Sequence, residues 1–414
     1  MLQSIQWGQL TLILILSMKR VSAPSLAVIL IGYVLSRVLL FQAAPFLEDD
    51  YYRYLWDGHL VSEGINPYLL PPSDSFWANV PSEWRQHINF PDIGTIYPPL
   101  AQIYFTVVYK FFGESVFGLR LGALVIECAL ALLIYQVIRQ EKLSLKPLAV
   151  FLFFPTLMKE NVNSVHFDLL ATFFIFLFYL KLKKASSSLK NFFLIWFSLV
   201  CAVLTKIFPL LFLPLAFLFS PRKFLGLFIF CVVLILAYLP FLNAGLNVFG
   251  GTTAFAKNWL FFESIPFYIQ KIYSSFFTWP VFERLRLTHF INPDQLTRLT
   301  SIFLSVIITL TISTSKKIRL ENKFVILLLV LYCFSPVVNT WYWLWILPFL
   351  IIYSPRISWV FPVLTTLGYS WFVDKNTYNL FHQPIYGVFI LILAMYITRT
   401  NYNGQHRWRT DQIL

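Results

Sequence analysis

"FLEDDYYRYLWDGHLVSEGINPY", residues 46–68, sets Glu48, Asp49 and Asp50 directly after a long apolar run, with Asp57 seven residues beyond Asp50. Charge is costly in hydrocarbon, so an apolar run ending in carboxylates marks the point where a chain leaves a bilayer. The whole sequence agrees. Of 414 residues, 58% are hydrophobic and 12% charged, and the mean hydropathy is +0.69. Soluble domains carry about a quarter charged residues. The expected fold is an all-α polytopic membrane protein: one integral domain over residues 1–414, with about twelve transmembrane helices.

Working outward, apolar spans fall near 24–46, 117–138, 147–159, 168–181, 190–205, 207–220, 224–241, 300–315, 324–338, 343–354, 358–373 and 385–398. Several are shorter than the roughly 20 residues of a straight span. With the N-terminus in the cytoplasm, every inner segment is basic: Lys19–Arg20, Arg139 to Lys146, Lys181 to Lys190, Arg222–Lys223, Lys316 to Lys323, Arg356, and Arg399 to Arg409. That is the positive-inside pattern, and it also explains the formal charge of +13 without nucleic acid. Both termini are then cytoplasmic. Residues 7–17 are a further short apolar stretch, either an interfacial helix or half of a signal-like start. Cys128, Cys201, Cys231 and Cys333 lie in apolar stretches without a CxxC pair, which argues against a disulfide framework or thiolate metal site.

Two long segments fall outside, 47–116 and 242–299. Both mix aromatic and charged residues as interfacial helices do. Residues 97–113, "YPPLAQIYFTVVYKFFG", read as such a helix, because a span there would break the downstream alternation. Within the spans, Arg37 and Glu127 sit at similar depth on antiparallel helices and are expected to pair, chiefly to fix helix packing.

Just outside the hydrocarbon, a helix over 48–59 would put Asp50, Arg53 and Asp57 on one face and pair Asp49 with Arg53 at i, i+4. The plain reading is a helix cap with surface salt bridges. Aromatic wrapping by Tyr51, Tyr52, Tyr54 and Trp56, and the "GINPY" turn at 64–68, favour a site instead. "KENVNSVHFD", 159–168, reads as a polar loop at the mouth of two spans, carrying Lys159, His166 and Asp168. His166 and Asp168 with the 48–50 carboxylates resemble a metal set but lack a fixed ligand spacing, so no metal is expected. Lys206, in "LTKIFPLLFLP" (204–214), needs an anion: a carboxylate of the cluster or a phosphate headgroup. The aromatics of "NTWYWLW" (339–345) fit an interfacial belt.

In this order, "EDDYYRYLWDGHLVSEGINPY", "IYPPL", "HFD", "TKIFPLLFLP" and "NTWYWLWILPFL" resemble glycosyltransferases of the GT-C superfold that use lipid-phosphate sugars. The likeness is greatest to the bacterial polyprenyl-phosphate mannosyltransferase-like proteins of glycosyltransferase family 87. The resemblance implies a catalytic carboxylate at Asp50, with Asp49 as runner-up, since Asp50 precedes Arg53 with D-x-x-R spacing. It also implies sites at His166 and Asp168, and a Lys-x-x-Pro feature at Lys206 and Pro209. Tyr97 stands where some relatives carry a cation before the two prolines, which leaves the phosphate-binding cation open among Arg53, Lys159 and Lys206.

The implied activity is transfer of a hexose, mannose by resemblance, from a polyprenyl-phosphate sugar to a glycan, glycolipid or protein on the outer face of the cell membrane. Asp50 would act as base, the anomeric centre would invert, and no cofactor would be needed beyond the lipid-linked sugar. Substrate contacts are expected from Arg53, Asp57, Lys159, His166, Asp168 and Lys206. No Gly-rich phosphate loop suggests a nucleotide. The alternatives are a lipid-linked glycan flippase or transporter, and a polysaccharide ligase or polymerase. No internal repeat of the transporter kind is visible.

Overall fold

A computed structural model describes residues 24–277 except 185 and 187, residues 292–358 and 360–362, and single positions 369, 387, 390, 391, 394 and 395. The expected features at 7–17, at Lys19–Arg20, across most of 358–398 and in the C-terminal basic segment lie outside these residues. Among the described residues the secondary structure is helical, with one isolated bridge between Phe261 and Val337. They fall into two compact units. One comprises the chain up to Ala256 with Trp343–Pro362; the other comprises Lys257–Tyr342 with described positions of Val363–Gln405.

In the first unit, α1 (Leu26–Gln42) starts at Ser25, whose hydroxyl accepts the Val28 N–H. Helix α4 (Val116–Gln140) starts at Ser115, whose side chain accepts from Gly118 N–H. The 25 residues of α4 rise about 37 Å, enough for the hydrocarbon core. Arg37 of α1 and Glu127 of α4 form the expected buried ion pair. Arg37 Nη2 also donates to Leu152 O at 2.8 Å, and Asn161 Nδ2 donates to Glu127 at 3.1 Å. The pair therefore anchors two further segments, ending at Leu152 and around Asn161, besides the two helices the sequence suggested.

Between α1 and α4 lie α2 (Tyr51–Ser62) and α3 (Pro99–Phe112). Pro99 occupies the first turn of α3, where its missing N–H costs no helix bond. The two helices approach closely because Gly58 has no Cβ; one there would lie 2.5 Å from Phe105 O. Tyr54 stacks on Phe105 at 4.8 Å, and Tyr97, Leu119, Val165 and Phe167 complete that core. The "GINPY" turn is present. Gly64 has φ +75°, and Asn66 accepts from Tyr68 N–H at 2.9 Å while donating to Phe241 O at 3.0 Å.

Two expectations change after α4. The span read at 147–159 is instead α5 (Lys146–Leu152), which stops ahead of Pro155, followed by a π-helical turn, Leu157–Asn163. Proline removes a helix donor and disfavours helical geometry in the residue before it. The loop read at 159–168 is not an exposed loop at all. Lys159 is 3% exposed, and Glu160, Asn161, Asn163, Ser164, His166 and Asp168 are fully buried. Beyond it the chain bends by 117° into α6 (Asp168–Lys183). Then follow α7 (Leu189–Thr205), a short helical segment (Phe208–Phe212), α8 (Leu213–Phe219), α9 (Lys223–Tyr238) and α10 (Gly250–Asn258).

The second unit contains α11 (Ile265–Phe277), α12 (Pro293–Thr314) and α13 (Leu320–Phe334). Helix α12 begins seven residues ahead of the span expected at 300–315, because Asn292 caps it by accepting Asp294 N–H and Pro293 opens its first turn. Lys323 Nζ donates to Ser313 O at 2.6 Å, tying α13 to the end of α12.

By length and composition three described segments can cross a membrane: Val116–Gln140, Lys223–Asn258 and Pro293–Thr314. The bent pair Leu157–Asn163 and Asp168–Lys183 makes a fourth if taken as one span. The other expected spans are shorter helices or lie outside the described residues.

Candidate active site

The acidic stretch is held by polar groups of the π-helical turn. Asn163 accepts the Phe46 N–H at 3.0 Å and donates to Ala44 O at 2.8 Å, as a neighbouring strand would. Arg120, buried in α4, donates to Phe41 O at 2.8 Å and Ala43 O at 2.5 Å on one side. On the other side it donates to Val162 O at 3.1 Å and Asn163 O at 3.4 Å. It thus staples the chain leaving α1 to the end of the π-helical turn. Leu47 (φ +65°) and Val165 (φ +56°) are left-handed non-glycine residues on the two stapled segments. Such strain persists only where surroundings over-determine it.

The staple brings Asp50 and His166 together. His166 Nδ1 lies 3.9 Å from Asp50 Oδ2 and 3.2 Å from Tyr54 Oη, and its Nε2 lies 3.8 Å from Glu160 Oε2. Asp50 sits at the N-cap of α2, yet its side chain makes no capping bond. The carboxylate instead accepts from Asn89 Nδ2 at 2.9 Å, and the same amide donates to Asp49 at 2.6 Å. The cap reading therefore does not account for this residue. The expected Asp49–Arg53 pair is not formed either. Arg53 is buried and donates instead to Ile93 O at 2.9 Å and Phe90 O at 3.2 Å.

Asp57 is placed apart from this cluster. It is 1% exposed and accepts from Thr95 at 2.5 Å and Gln102 at 3.1 Å, joining α2, α3 and the 94–97 segment. Lys159 donates to Ser164 at 2.6 Å and lies 3.6 Å from Glu160. Lys206 finds its anion in Asp168, at 2.7 and 2.8 Å, a carboxylate as expected but one of the 159–168 run and not of the 48–57 cluster. Trp345 Nε1 donates to the same carboxylate at 2.8 Å and stacks on Phe208 at 3.6 Å. The Lys206 ammonium lies 5.0 Å from the Phe167 ring centre.

These charges act on one another. Burial raises the Asp50 pKa above the ordinary carboxylate range; the Asp49 and Asp168 charges add to the rise, while the Asn89 bond and Lys206 oppose it. Glu48 is pushed up to about 9 by burial and by the Glu160 and Asp50 carboxylates. Burial, with Lys159 and Lys206 nearby, holds His166 well below the usual imidazole value. A neutral histidine beside a carboxylate of raised pKa, with a carboxylate-bound ammonium in electrostatic range, suits proton transfer at a reacting hydroxyl. Among the described residues no group of three or more His, Cys, Asp or Glu side chains is arranged to hold a metal.

Residues 6–222 match the family described as Alpha-(1->6)-mannopyranosyltransferase, N-terminal domain. The chain belongs to this mannosyltransferase family. Its apolar helices and that membership make it a membrane glycosyltransferase. No curated protein matches the chain significantly. The site carboxylates, Asn89, His166 and Lys206 all lie within the matched stretch of this mannosyltransferase; Trp345 lies beyond it.

Several site residues carry little or no sequence signal. Asn89 meets the carboxylates from 39 and 40 positions away. Glu160 and Asn163 were visible only as part of a polar run, and Trp345 only as part of an aromatic belt. Arg120 is a cation in an apolar span, the kind of residue whose cost asks for a role.

Proposed function

We propose that this mannosyltransferase moves a mannose from a polyprenyl-phosphate sugar to an acceptor hydroxyl at the outer membrane surface, with inversion. The observation that carries the reading is the Asp50 carboxylate: partly exposed at 23%, raised in pKa, and backed by His166 and the Lys206–Asp168 pair. The acceptor oxygen attacks the anomeric carbon as Asp50 takes its proton. The bond from that carbon to the phosphate oxygen breaks, and its electron pair leaves with the polyprenyl phosphate. Lys206, with its side chain 16% exposed, is the cation that meets the developing phosphate charge. Arg53 and Lys159 are engaged by carbonyls and by Glu160 respectively, and support the scaffold. Asp49 shares the Asn89 amide and tunes its neighbour. No metal step is required.

The basic inner segments support a topology with cytoplasmic termini, about twelve helices and the acidic cluster outside, in a single integral membrane domain. The acceptor is a glycan, glycolipid or protein.

The test uses purified protein in lipid with a panel of polyprenyl-phosphate hexoses. Wild type should release polyprenyl phosphate from the mannose donor. Folded Asp50→Asn should lose about 10²–10⁴-fold, the usual worth of a general base. Full activity in that variant removes Asp50 as base. No donor use, with fluorescent lipid crossing the bilayer, replaces the transferase with a transporter.

A further inference from the structure

Beside the carboxylates lies a group of rings that the reaction as described does not use. Tyr51 and Tyr52, on the first turn of α2, have ring centres 4.3 Å apart. Trp84 meets Tyr52 at 5.4 Å and Tyr51 at 6.0 Å, both edge-on. His87 lies against Tyr52 at 5.2 Å, tilted by 32°. The next aromatics on α2, Tyr54 and Trp56, are consumed by the core at 1% and 2% exposure. Tyr51, Tyr52 and Trp84 instead stay half-buried, packed on the core from one side, and His87 is exposed.

The segment that carries Trp84 and His87 also carries Asn89, whose amide holds Asp49 and Asp50. The rings and the carboxylates are therefore fixed relative to each other by one short piece of chain. The inner side of Asp50 is filled by Tyr54 and His166, with 0% exposure at the histidine. Tyr51 and Tyr52 follow Asp50 directly, on the first turn of α2.

The chemistry of this shelf is selective. Ring faces are electron-rich and Asp49 and Asp50 lie beside them, while Arg85 on the same segment is turned over the Trp56 ring at 5.8 Å, so the shelf disfavours phosphate and anionic headgroups. Pyranose rings match: their C–H faces lie on aromatic rings while their hydroxyls reach carboxylates and amides. We infer that Tyr51, Tyr52, Trp84 and His87 form the acceptor subsite, and that it binds the terminal pyranose of a neutral glycan whose hydroxyl is directed at Asp50. This deepens the proposed function and rests on it.

The experiment measures donor hydrolysis to water, transfer to methyl α-1,6-mannobioside, and binding of that disaccharide by saturation-transfer NMR on the protein in nanodiscs. Variants are Trp84→Ala, Trp84→Phe and His87→Ala, the last at an exposed side chain. Trp84→Ala should raise the acceptor KM about tenfold and abolish the saturation signal. The acceptor KM should rise more than the donor KM, and Trp84→Phe should recover most of the loss. His87→Ala should raise the acceptor KM about threefold. Unchanged acceptor KM and saturation signal in Trp84→Ala and His87→Ala overturn the inference. So does a rise in donor KM alone, which would assign the rings to the lipid-linked sugar or the membrane surface. If Trp84→Ala loses donor hydrolysis through misfolding, His87→Ala decides. Failure of wild type to use any donor sinks the proposed reaction instead, and the binding signal still judges the subsite.

Discussion

Replacing Arg120 by methionine tests whether the site depends on the staple. Methionine keeps an unbranched stem in α4 but removes the bonds to Phe41, Ala43 and Val162, at 2.8, 2.5 and 3.1 Å; the fourth, at 3.4 Å, is weak. Hydrogen bonds from a charged donor contribute about 1.5–3 kcal/mol each, and such values do not add. The Phe41 and Ala43 carbonyls lie in half-buried residues and regain part of their bonding from water. A net loss of about 3 kcal/mol is expected. The chain carrying Asp50 then loses one of its ties to the turn carrying His166, leaving Asn163. A displacement of about 1 Å between reacting groups costs on the order of 10²-fold in rate. Thermal unfolding in detergent should show a lower midpoint, and donor turnover should show kcat reduced by about that factor with donor KM little changed. Arg120→Lys should recover stability more than rate, because an ammonium cannot fork between two segments. A lowered midpoint with unchanged kcat would mean that Arg120 holds the fold but not the site. No change in either would refute the staple.

Arg37→Leu should destabilise by about 3–5 kcal/mol by leaving Glu127 buried without its cation, and Arg37→Leu with Glu127→Leu by less; equal losses in unfolding measurements would deny the coupling. The base must be deprotonated to act, so kcat/KM should rise with pH through the Asp50 pKa, which lies above the ordinary carboxylate range. Asp49→Asn removes a like charge and should move that limb to lower pH, while Asn89→Ala removes a bond that favours the charged form and should move it higher; shifts in one direction would sink the assignment. Gly58→Ala should lower the unfolding midpoint and push α2 from α3, because the added Cβ meets Phe105 O at 2.5 Å; a loss below about 1 kcal/mol would show that the helices can part freely.

Apolar run length located most helices, because segment hydropathy is a local property that burial in lipid makes decisive. The Arg37–Glu127 pair was legible for the same reason: two charges of opposite sign in apolar surroundings must find each other. The turn at 157–168 was misread because its polar residues are satisfied by distant partners. Asn161 bonds Glu127, and Asn163 bonds the Ala44–Phe46 backbone. Composition alone places so polar a run in water. Arg53 shows the converse. Its spacing from Asp49 is that of a helical ion pair, but Asp49 precedes α2 and the guanidinium is taken by carbonyls of the 90–93 segment.

The same principle bears on how the proposed site would receive a phosphate. Lys206 and Lys159 each face a carboxylate, so an incoming anion must compete for a cation. Only for Lys206 are the terms of that competition favourable. Its side chain is 16% exposed, whereas that of Lys159 is 3% exposed. Its partner Asp168 is fully buried and keeps the Trp345 N–H at 2.8 Å, so the carboxylate stays partly satisfied when the ammonium turns outward. The Phe167 ring flanks the ammonium at 5.0 Å, a cation–π contact. Asp168 thus keeps Lys206 oriented in a nearly dry setting before any substrate arrives. In the proposed reaction, that preorganisation would let a single cation stabilise a leaving phosphate without rebuilding the site around it.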